Sequence, residues 1–265
     1  MGLPLFDISS DPGPSFSAFL TASNMTTPTR TSASEELAHA TTVVAIKCTQ
    51  GVVMVGDRQA TSSQIAMRDV KKIAAADRFT AIAISGSAAM GLDFIRLAQL
   101  SFEHYEKMTS TVLSLSGKAN YLVPMIRNNN LSTPFYIVPL LAGFDLSHET
   151  GRIFDYDGAG GCYEKTDFGV IGSGTPFAES TLRLGFRADL SLEEAIDLAV
   201  LAIYEAADND PSTGGPDFVR GIFPMIVTIT SEGFRELSSD ESAIRFRAIS
   251  DRRTASGGHA GGSLR

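Results

Sequence analysis

Apolar residues along the chain follow the spacing of strands in some segments and the spacing of helices in others. Two runs rich in β-branched residues, 41–47 and 52–57, flank a short connection that ends in Gly51, and this pattern predicts a hairpin. A second strand pair is predicted at 71–75 and 79–84. The other predicted strands are 136–144, 152–156, 167–171, 225–230 and 233–237.

Three segments in the first two thirds of the chain have helical character. A long helix is predicted at 88–108, a second at 117–128 and a short one after Thr175. Pro124 lies inside the second helix, where a proline removes a backbone hydrogen bond and tends to kink the helix. The apolar face of the first helix is predicted to contain Phe94, Leu97, Ala98, Ser101, Phe102 and Tyr105.

The clearest helix is predicted at 191–208. Ser191 and Glu194 have the spacing of a capping box, and apolar residues line one face of the segment. Paired helices therefore stand between groups of hairpin-linked strands, which indicates an α+β fold of antiparallel sheets with helices on their outer faces. A four-layer αββα sandwich fits this order, although the pattern alone does not select it.

Composition divides the chain into three parts. Residues 1–40 are rich in Ser, Thr, Pro and Ala without sustained periodicity, and residues 41–250 carry the alternating elements. Residues 251–265 are polar and rich in Gly and Ser, so we expect a flexible tail there. One domain is therefore predicted between a leader and a tail.

Charge and composition exclude several classes of function. The formal net charge of -8 argues against binding to nucleic acid, which needs clustered positive charge. No apolar run is long enough to span a membrane, and the first forty residues lack the basic start of a signal peptide, so we expect a cytoplasmic protein. Cys48 and Cys162 are predicted to be reduced structural thiols, and no cysteine or histidine spacing suggests a metal site.

Thr41 and Thr42 stand where the polar leader meets the first strand. A threonine hydroxyl needs a nearby base to act as a nucleophile at neutral pH. If the chain were cut between Ala40 and Thr41, the new α-amino group, with a pKa of about 7.7–8.0, would lie on the nucleophile's own residue. A Thr-Thr pair at the start of a strand can equally reflect β-propensity, so this pair alone does not show that Thr41 is a nucleophile.

Five segments, which occur in the same order as in a known family, give the Thr41–Thr42 pair a specific interpretation. They are TTVVAIKCTQGVVMVGDRQAT (41–61), RDVKKI (68–73), ISGSAA (84–89), IGSGTPFA (171–178) and AADNDPSTGGPDFVRGIFP (206–224). Together they resemble the β subunits of 20S proteasomes, and the last segment is similar to the actinobacterial form in particular. The resemblance covers about residues 41–238 and implies an N-terminal nucleophile hydrolase with the αββα sandwich.

The resemblance assigns Thr41 as nucleophile and its freed amine as base, with Asp57 and Lys72 beside the hydroxyl. An ammonium at this position would stabilise a developing alkoxide, and a buried lysine needs a counter-charge such as Asp57. Gly86 is implied as the backbone donor to the oxyanion, where a missing side chain would let the substrate approach.

Three polar residues are expected to complete the site. The resemblance places Ser173 near the terminal amine and assigns Asp210 and Thr213 to a polar group that holds the threonine site together. The family often has serine at the last of these positions, and threonine keeps the hydroxyl. No metal or organic cofactor is implied.

Ala40 departs from the family pattern, because the residue before the cleaved bond is usually glycine. A Cβ at this position can restrict the tight turn that attack by Thr41 requires, yet we expect processing to survive so small a change. The resemblance also implies a pocket for the substrate residue before the cut. Its expected lining is apolar, which favours cleavage after apolar residues, and consists of Ala60, Val70, Ile84 and Ala88.

Two alternatives share parts of this pattern. An HslV-type ATP-dependent protease subunit has the threonine start, the Gly-Asp step and the lysine, but usually begins almost at the threonine. A non-catalytic ring subunit usually lacks the processed threonine and the Asp/Lys pair. The leader 1–40 and the segment 214–224 favour the proteasome over the first, and Thr41, Asp57 and Lys72 favour it over the second.

The resemblance also implies partners. Two stacked seven-membered β rings would be flanked by rings of α subunits, and the active sites would face an enclosed chamber. An ATPase ring would deliver protein substrates, which in actinobacteria carry a small protein modifier. No nucleic acid or membrane partner is expected.

Overall fold

Two five-stranded antiparallel sheets form the centre of the described part of the chain, residues 41–62, 65–67, 70–132 and 136–255 of a computed structural model. The first sheet has the order β10-β1-β2-β11-β12, with β1 (Thr42–Cys48), β2 (Gly51–Gly56), β10 (Phe168–Gly172), β11 (Met225–Thr230) and β12 (Gly233–Glu236). The second sheet contains, in order, β5 (Ile73–Asp77), β6 (Thr80–Gly86), β7 (Ile137–Asp145), β8 (Thr150–Tyr156) and β9 (Cys162–Lys165). The predicted leader and its residue Ala40 lie outside the described residues, as do residues 256–265.

Five helices and one small hairpin complete the described elements. The hairpin pairs β3 (Ala60–Ser62) with β4 (Ile65–Met67). The helices are α1 (Ala88–Thr109), α2 (Leu115–Ser132), α3 (Thr175–Gly185), α4 (Leu192–Asn209) and α5 (Ser239–Ala255). Within the described ranges, no helix combines the length and the apolar composition needed to cross a bilayer.

The two sheets are packed face to face because the central strands are apolar on both sides. In β1, Val43 and Ala45 belong to the core between the sheets, whereas Val44 and Ile46 belong to an apolar cluster that also contains residues of α3, α4 and α5. A third apolar cluster joins the outer face of the second sheet to α1 and α2. The layers are therefore helices, sheet, sheet, helices, and the predicted αββα sandwich is confirmed.

The predicted capping box begins α4. The Ser191 hydroxyl accepts a hydrogen bond from the Glu194 amide at 3.3 Å, and the Glu194 carboxylate accepts one from the Ser191 amide at 2.9 Å. The buried face of the helix packs on the first sheet. This anchoring fixes the carboxyl end of α4, where Asp210 is the capping residue.

Helix α2 extends beyond the predicted 117–128 at both ends and continues through Pro124. The proline is exposed, as is Asn120 one turn earlier, so the carbonyl that loses its backbone donor lies on the solvent side. Leu122 and Ile126, on the opposite face, are buried against the second sheet. Packing therefore overrides the local effect of the proline. On α1, by contrast, Leu97 and Tyr105 are exposed rather than part of the buried face.

The final helix, α5, was not predicted, and the expected tail 251–265 begins too early because this helix continues to Ala255. Its sequence is strongly charged and buries little beyond Phe246 and Ile249, so it lacks a clear apolar period. Ion pairs to α4 accompany these few apolar contacts: Arg252 pairs with Asp197 at 2.9 Å and Arg253 with Asp208 at 2.7 Å. The short strands β3, β4 and β9 were not predicted either.

Candidate active site

Thr41 lies directly before β1 and is only 4% exposed. Its carbonyl accepts a hydrogen bond from the Ser173 amide at 3.1 Å, which ties it to the end of β10. Gly172, opposite Thr42 in the β1–β10 pairing, has a φ of +109°, and a Cβ there would come within 1.6 Å of the Thr41 carbonyl oxygen. Only glycine therefore permits this close approach of the two backbones.

Asp57 and Lys72 form a buried ion pair that connects the two sheets. Asp57 follows β2 of the first sheet, Lys72 precedes β5 of the second, and the Nζ–Oδ1 distance is 2.8 Å. The same Oδ1 accepts the Thr42 amide at 2.9 Å. One carboxylate oxygen of Asp57 thus bridges the Lys72 ammonium and the peptide bond that joins Thr41 to Thr42.

Each oxygen of the Asp57 carboxylate accepts two hydrogen bonds. Besides Thr42 and Lys72 on Oδ1, its Oδ2 accepts the amides of Gln59 at 3.1 Å and Gly214 at 3.0 Å. Lys72 also donates to the Gln59 carbonyl. The pair is therefore well hydrogen-bonded, as a buried ion pair must be if it is not to be strongly destabilising.

Burial shifts the pKa values of both partners. It lowers the pKa of Lys72 from its ordinary value, and the carboxylate of Asp57 opposes this shift. It also raises the pKa of Asp57, against the ammonium of Lys72 and the amides of Gly214 and Thr42. The Lys72 ammonium, which shares an Asp57 oxygen with the Thr41–Thr42 peptide, therefore has a pKa below that of an exposed lysine.

A second polar group surrounds Asp210 on the other side of Thr42. The Oδ2 atom of Asp210 accepts the hydroxyls of Ser173 and Thr213, each at 2.6 Å. The Thr213 hydroxyl is also 2.5 Å from the Thr42 hydroxyl. The three predicted polar residues, Ser173, Asp210 and Thr213, are thus brought together beside Thr41.

Gly86 ends β6 with a φ of +104°. A Cβ on Gly86 would lie 2.1 Å from the carbonyl oxygen of Tyr136, just before β7. The backbone conformation and this neighbour both require glycine here, and the approach of a substrate stays a prediction. Strands β6 and β1 are in contact across the two sheets, so Gly86 lies on a strand that packs against the one that positions Thr41.

The four residues predicted to line a substrate pocket have different environments. Ile84 is buried in the cluster beneath α1, whereas Val70 and Ala88 are half-buried. Ala60 lies on β3, where only the backbone is described. In the single chain, Ile84 is therefore part of the core, and the pocket stays a prediction.

Three residues of the site were not predicted. Thr42 was interpreted only as a strand residue, yet its hydroxyl is hydrogen-bonded within the Asp210 group. Gly174 donates its amide to the Thr42 hydroxyl at 2.9 Å, and Gly214 donates to Asp57. The available signals were the adjacency of Thr42 to Thr41 and the glycines within 171–178 and 206–224.

Thiol and metal chemistry find little support in the described residues. Cys48 and Cys162 are both free, and burial raises the pKa of each thiol. From residue 41 to residue 255, outside the three short undescribed gaps, no group of three or more His, Cys, Asp or Glu side chains is placed to hold a metal ion. The charged groups that the described structure brings to the start of β1 are the buried Asp57 and Lys72.

Comparisons with known proteins agree with the segments quoted above. A family model described as "Proteasome subunit" matches residues 37–219. "Proteasome subunit beta" of Acidimicrobium ferrooxidans is 44% identical over 243 residues, which cover 89% of this chain and 89% of the relative. The protein of the same name from Streptomyces griseus is 45% identical over 221 residues, 82% of this chain and 79% of the relative.

A third relative gives the same result. "Proteasome subunit beta" of Frankia casuarinae is 43% identical over 227 residues, which cover 84% of this chain and 83% of the relative. The residues matched by the family model include Thr41, Asp57 and Lys72. The chain belongs to the proteasome subunit family, and within it the chain is similar to the β subunits of actinobacteria.

Proposed function

We propose that the chain is a catalytic β subunit of a 20S proteasome, a threonine endopeptidase that degrades unfolded or tagged proteins. The observation that carries this proposal is the shared use of one Asp57 oxygen by the Lys72 ammonium and the Thr42 amide. This contact places a buried cation next to the backbone of Thr41. A side chain that merely balances surface charge would not be buried in such a position.

The chain would first activate itself. The Thr41 hydroxyl would attack the carbonyl of Ala40, the Ala40–Thr41 peptide would become an ester on the Thr41 oxygen, and water would hydrolyse that ester. Residues 1–40 would leave with the new carboxylate on Ala40, and the α-amine of Thr41 would be released. Until this cleavage the precursor would be an inactive zymogen.

The same chemistry would then cut substrates. The free α-amine would accept the proton of the Thr41 hydroxyl, and the Lys72 ammonium would stabilise the developing alkoxide. The Gly86 amide would donate to the oxyanion of the tetrahedral intermediate. Collapse would release the amine half of the substrate and leave an acyl ester, which water would hydrolyse. The Asp210 group would hold the Thr41 terminus in place.

Assembly and specificity follow from the same proposal. The subunit would form two stacked homo-heptameric rings between rings of α subunits in the cytoplasm, with an ATPase ring delivering modifier-tagged proteins. The apolar pocket of Ala60, Val70, Ile84 and Ala88 would favour cleavage after apolar residues. The alternative of a non-catalytic ring subunit is disfavoured because such subunits usually lack the Asp/Lys pair, whereas Asp57 and Lys72 are present here and form a buried ion pair.

Peptidase assays on the assembled particle test this proposal. We expect hydrolysis of a peptide with an apolar residue before the cut, together with labelling by a threonine-directed covalent inhibitor. Thr41→Ala should abolish both. Thr49→Ala is the matched control, since Thr49 is exposed in the turn between β1 and β2. Activity and labelling that survive Thr41→Ala would rule out this mechanism.

A further inference from the structure

The Thr42 hydroxyl lies at the centre of a buried chain of hydrogen bonds. Thr42 is 0% exposed, and its Oγ1 is 2.9 Å from the Gly174 amide nitrogen and 2.5 Å from the Thr213 hydroxyl. A Cβ on Gly174 would come within 2.6 Å of the same oxygen. The surroundings of this hydroxyl are thus closely fitted to it.

The number of hydrogens available determines which group donates in each of these hydrogen bonds. The Thr213 hydroxyl has one hydrogen, and it is directed to the Asp210 carboxylate at 2.6 Å. In the 2.5 Å contact Thr42 must therefore donate to Thr213, and Thr42 in turn accepts from the Gly174 amide. The hydrogen bonds run from Gly174 through Thr42 and Thr213 to Asp210, which also accepts the Ser173 hydroxyl.

The backbone of Thr42 is bound to the other half of the site. Its amide donates to the Asp57 carboxylate at 2.9 Å, and its carbonyl accepts the Asp57 amide at 3.1 Å. One residue therefore connects the Asp57–Lys72 pair, through its backbone, with the Asp210 group, through its side chain. β-Propensity does not explain the hydroxyl at position 42, because valine suits a strand as well as threonine does and β1 continues with Val43 and Val44.

Cleavage before Thr41 would make this connection more important. Thr41 would become a chain terminus, and terminal residues are poorly ordered unless something ties them down. The Thr41 carbonyl accepts the Ser173 amide, and the next residue, Thr42, is fixed by its bonds to Asp57 and Gly174. A small displacement of a nucleophile reduces the rate of the chemical step strongly.

We infer that Thr42 is a positioning residue for catalysis: its hydroxyl links Gly174 to Thr213 and holds the Thr41 terminus against the Asp57–Lys72 pair. This inference rests on the proposed function, because it concerns the reaction of Thr41. It assigns to Thr42 a role in kcat and in precursor processing. Substrate affinity should not depend on it, since the hydroxyl is buried.

Three variants of the full-length chain, co-produced with the α subunit, test the inference. Thr42→Val removes the hydroxyl and keeps the shape, whereas Thr42→Ser restores the hydroxyl. Thr80→Val is the matched control, because Thr80 is a buried threonine at the far end of β6 whose hydroxyl accepts a hydrogen bond from Lys118 at 3.0 Å. Processing rate is measured by mass spectrometry, and kcat and KM are measured per inhibitor-labelled site.

For Thr42→Val we expect a decrease of about tenfold or more in processing rate and in kcat, with KM unchanged. Thr42→Ser should recover most of both rates, and Thr80→Val should leave both unchanged. Wild-type rates in Thr42→Val would overturn the inference, and so would equal losses in Thr42→Val and Thr42→Ser. If the wild-type chain shows no peptidase activity that depends on Thr41, the proposed function fails instead, which a parallel Thr41→Ala sample reveals.

Discussion

At the scale of single residues, the position of Lys72 depends on the hydrogen bonds around Asp57. The sequence placed two lysines side by side, and only their surroundings distinguish them. The Lys72 side chain is 5% exposed and pairs with the buried Asp57, whereas Lys71 is 57% exposed and pairs with Glu236 at the surface. Periodicity and composition do not separate the two lysines, because the difference arises from contacts between two sheets; only the family resemblance singled out Lys72.

Replacing each lysine separately should expose this difference. Lys72→Ala removes the cation near Thr41, and we expect peptidase activity of the assembled particle to fall by about 100-fold or more. Lys71→Ala should change activity little, since an exposed ion pair contributes at most about 1 kcal/mol to stability. Comparable losses in the two variants would argue against a special role for Lys72.

The pH dependence of activity should reflect the free amine and Lys72. The α-amine of Thr41 must be neutral to accept a proton, so kcat/KM should rise as the pH rises through about 7.7–8.0. Because burial lowers the pKa of Lys72, its ammonium should be lost below its ordinary value of 10.5, and activity should decline there. A profile of kcat/KM against pH tests both limbs; a rate that keeps rising past pH 10.5 would contradict the role of the ammonium.

Gly174 provides a steric test of the site. In Gly174→Ala the new Cβ would lie 2.6 Å from the Thr42 hydroxyl oxygen and 2.7 Å from that of Thr213, so the two hydroxyls must move apart. We expect a large loss of kcat in peptide hydrolysis. Gly215→Ala is the control, because its Cβ would meet only the Ala207 methyl at 3.1 Å. Equal activity in the two variants would show that the hydroxyl contact does not matter.

At the scale of elements, the strands and helices with strong apolar periods were predictable and the charged or short ones were not. The β1–β2 hairpin is formed by apolar strands that are buried on both faces, and α4 has a helical period that matches its burial; both were confirmed. Helix α5 buries only a few apolar residues and contacts α4 through arginine–carboxylate pairs, a tertiary feature that leaves no period in its own sequence. The continuation of α2 through Pro124 likewise depends on packing against the second sheet.

The attachment of α5 should depend far more on its core residue than on its ion pairs. Phe246 is fully buried beside Phe223, and Phe246→Ala should lower the free energy of unfolding by about 3–5 kcal/mol. Arg252→Ala removes a pair that is largely exposed and should cost about 1 kcal/mol or less. Urea unfolding of the purified chain measures both. A larger effect of Arg252→Ala would mean that charge, rather than packing, holds the helix.

At the scale of the whole molecule, the site lies where the two halves of the sandwich meet. Asp57 and the threonines belong to the first sheet and Lys72 to the second, so the packing of sheet against sheet completes the constellation. The resemblance predicted which residues would assemble, and the fold explains how residues more than a hundred positions apart come into contact. The link through Thr42 could not be predicted, because it depends on hydrogen-bond geometry inside that contact.

The central claim is that Thr41 becomes the amino terminus of the working enzyme by its own action. The most direct test is the intact mass of this chain in the assembled particle, for the wild type and for Thr41→Ala. We predict a wild-type chain that begins at Thr41 and a Thr41→Ala chain that keeps residues 1–40. A wild-type chain that retains its leader, or a Thr41→Ala chain cut after Ala40, would contradict the account.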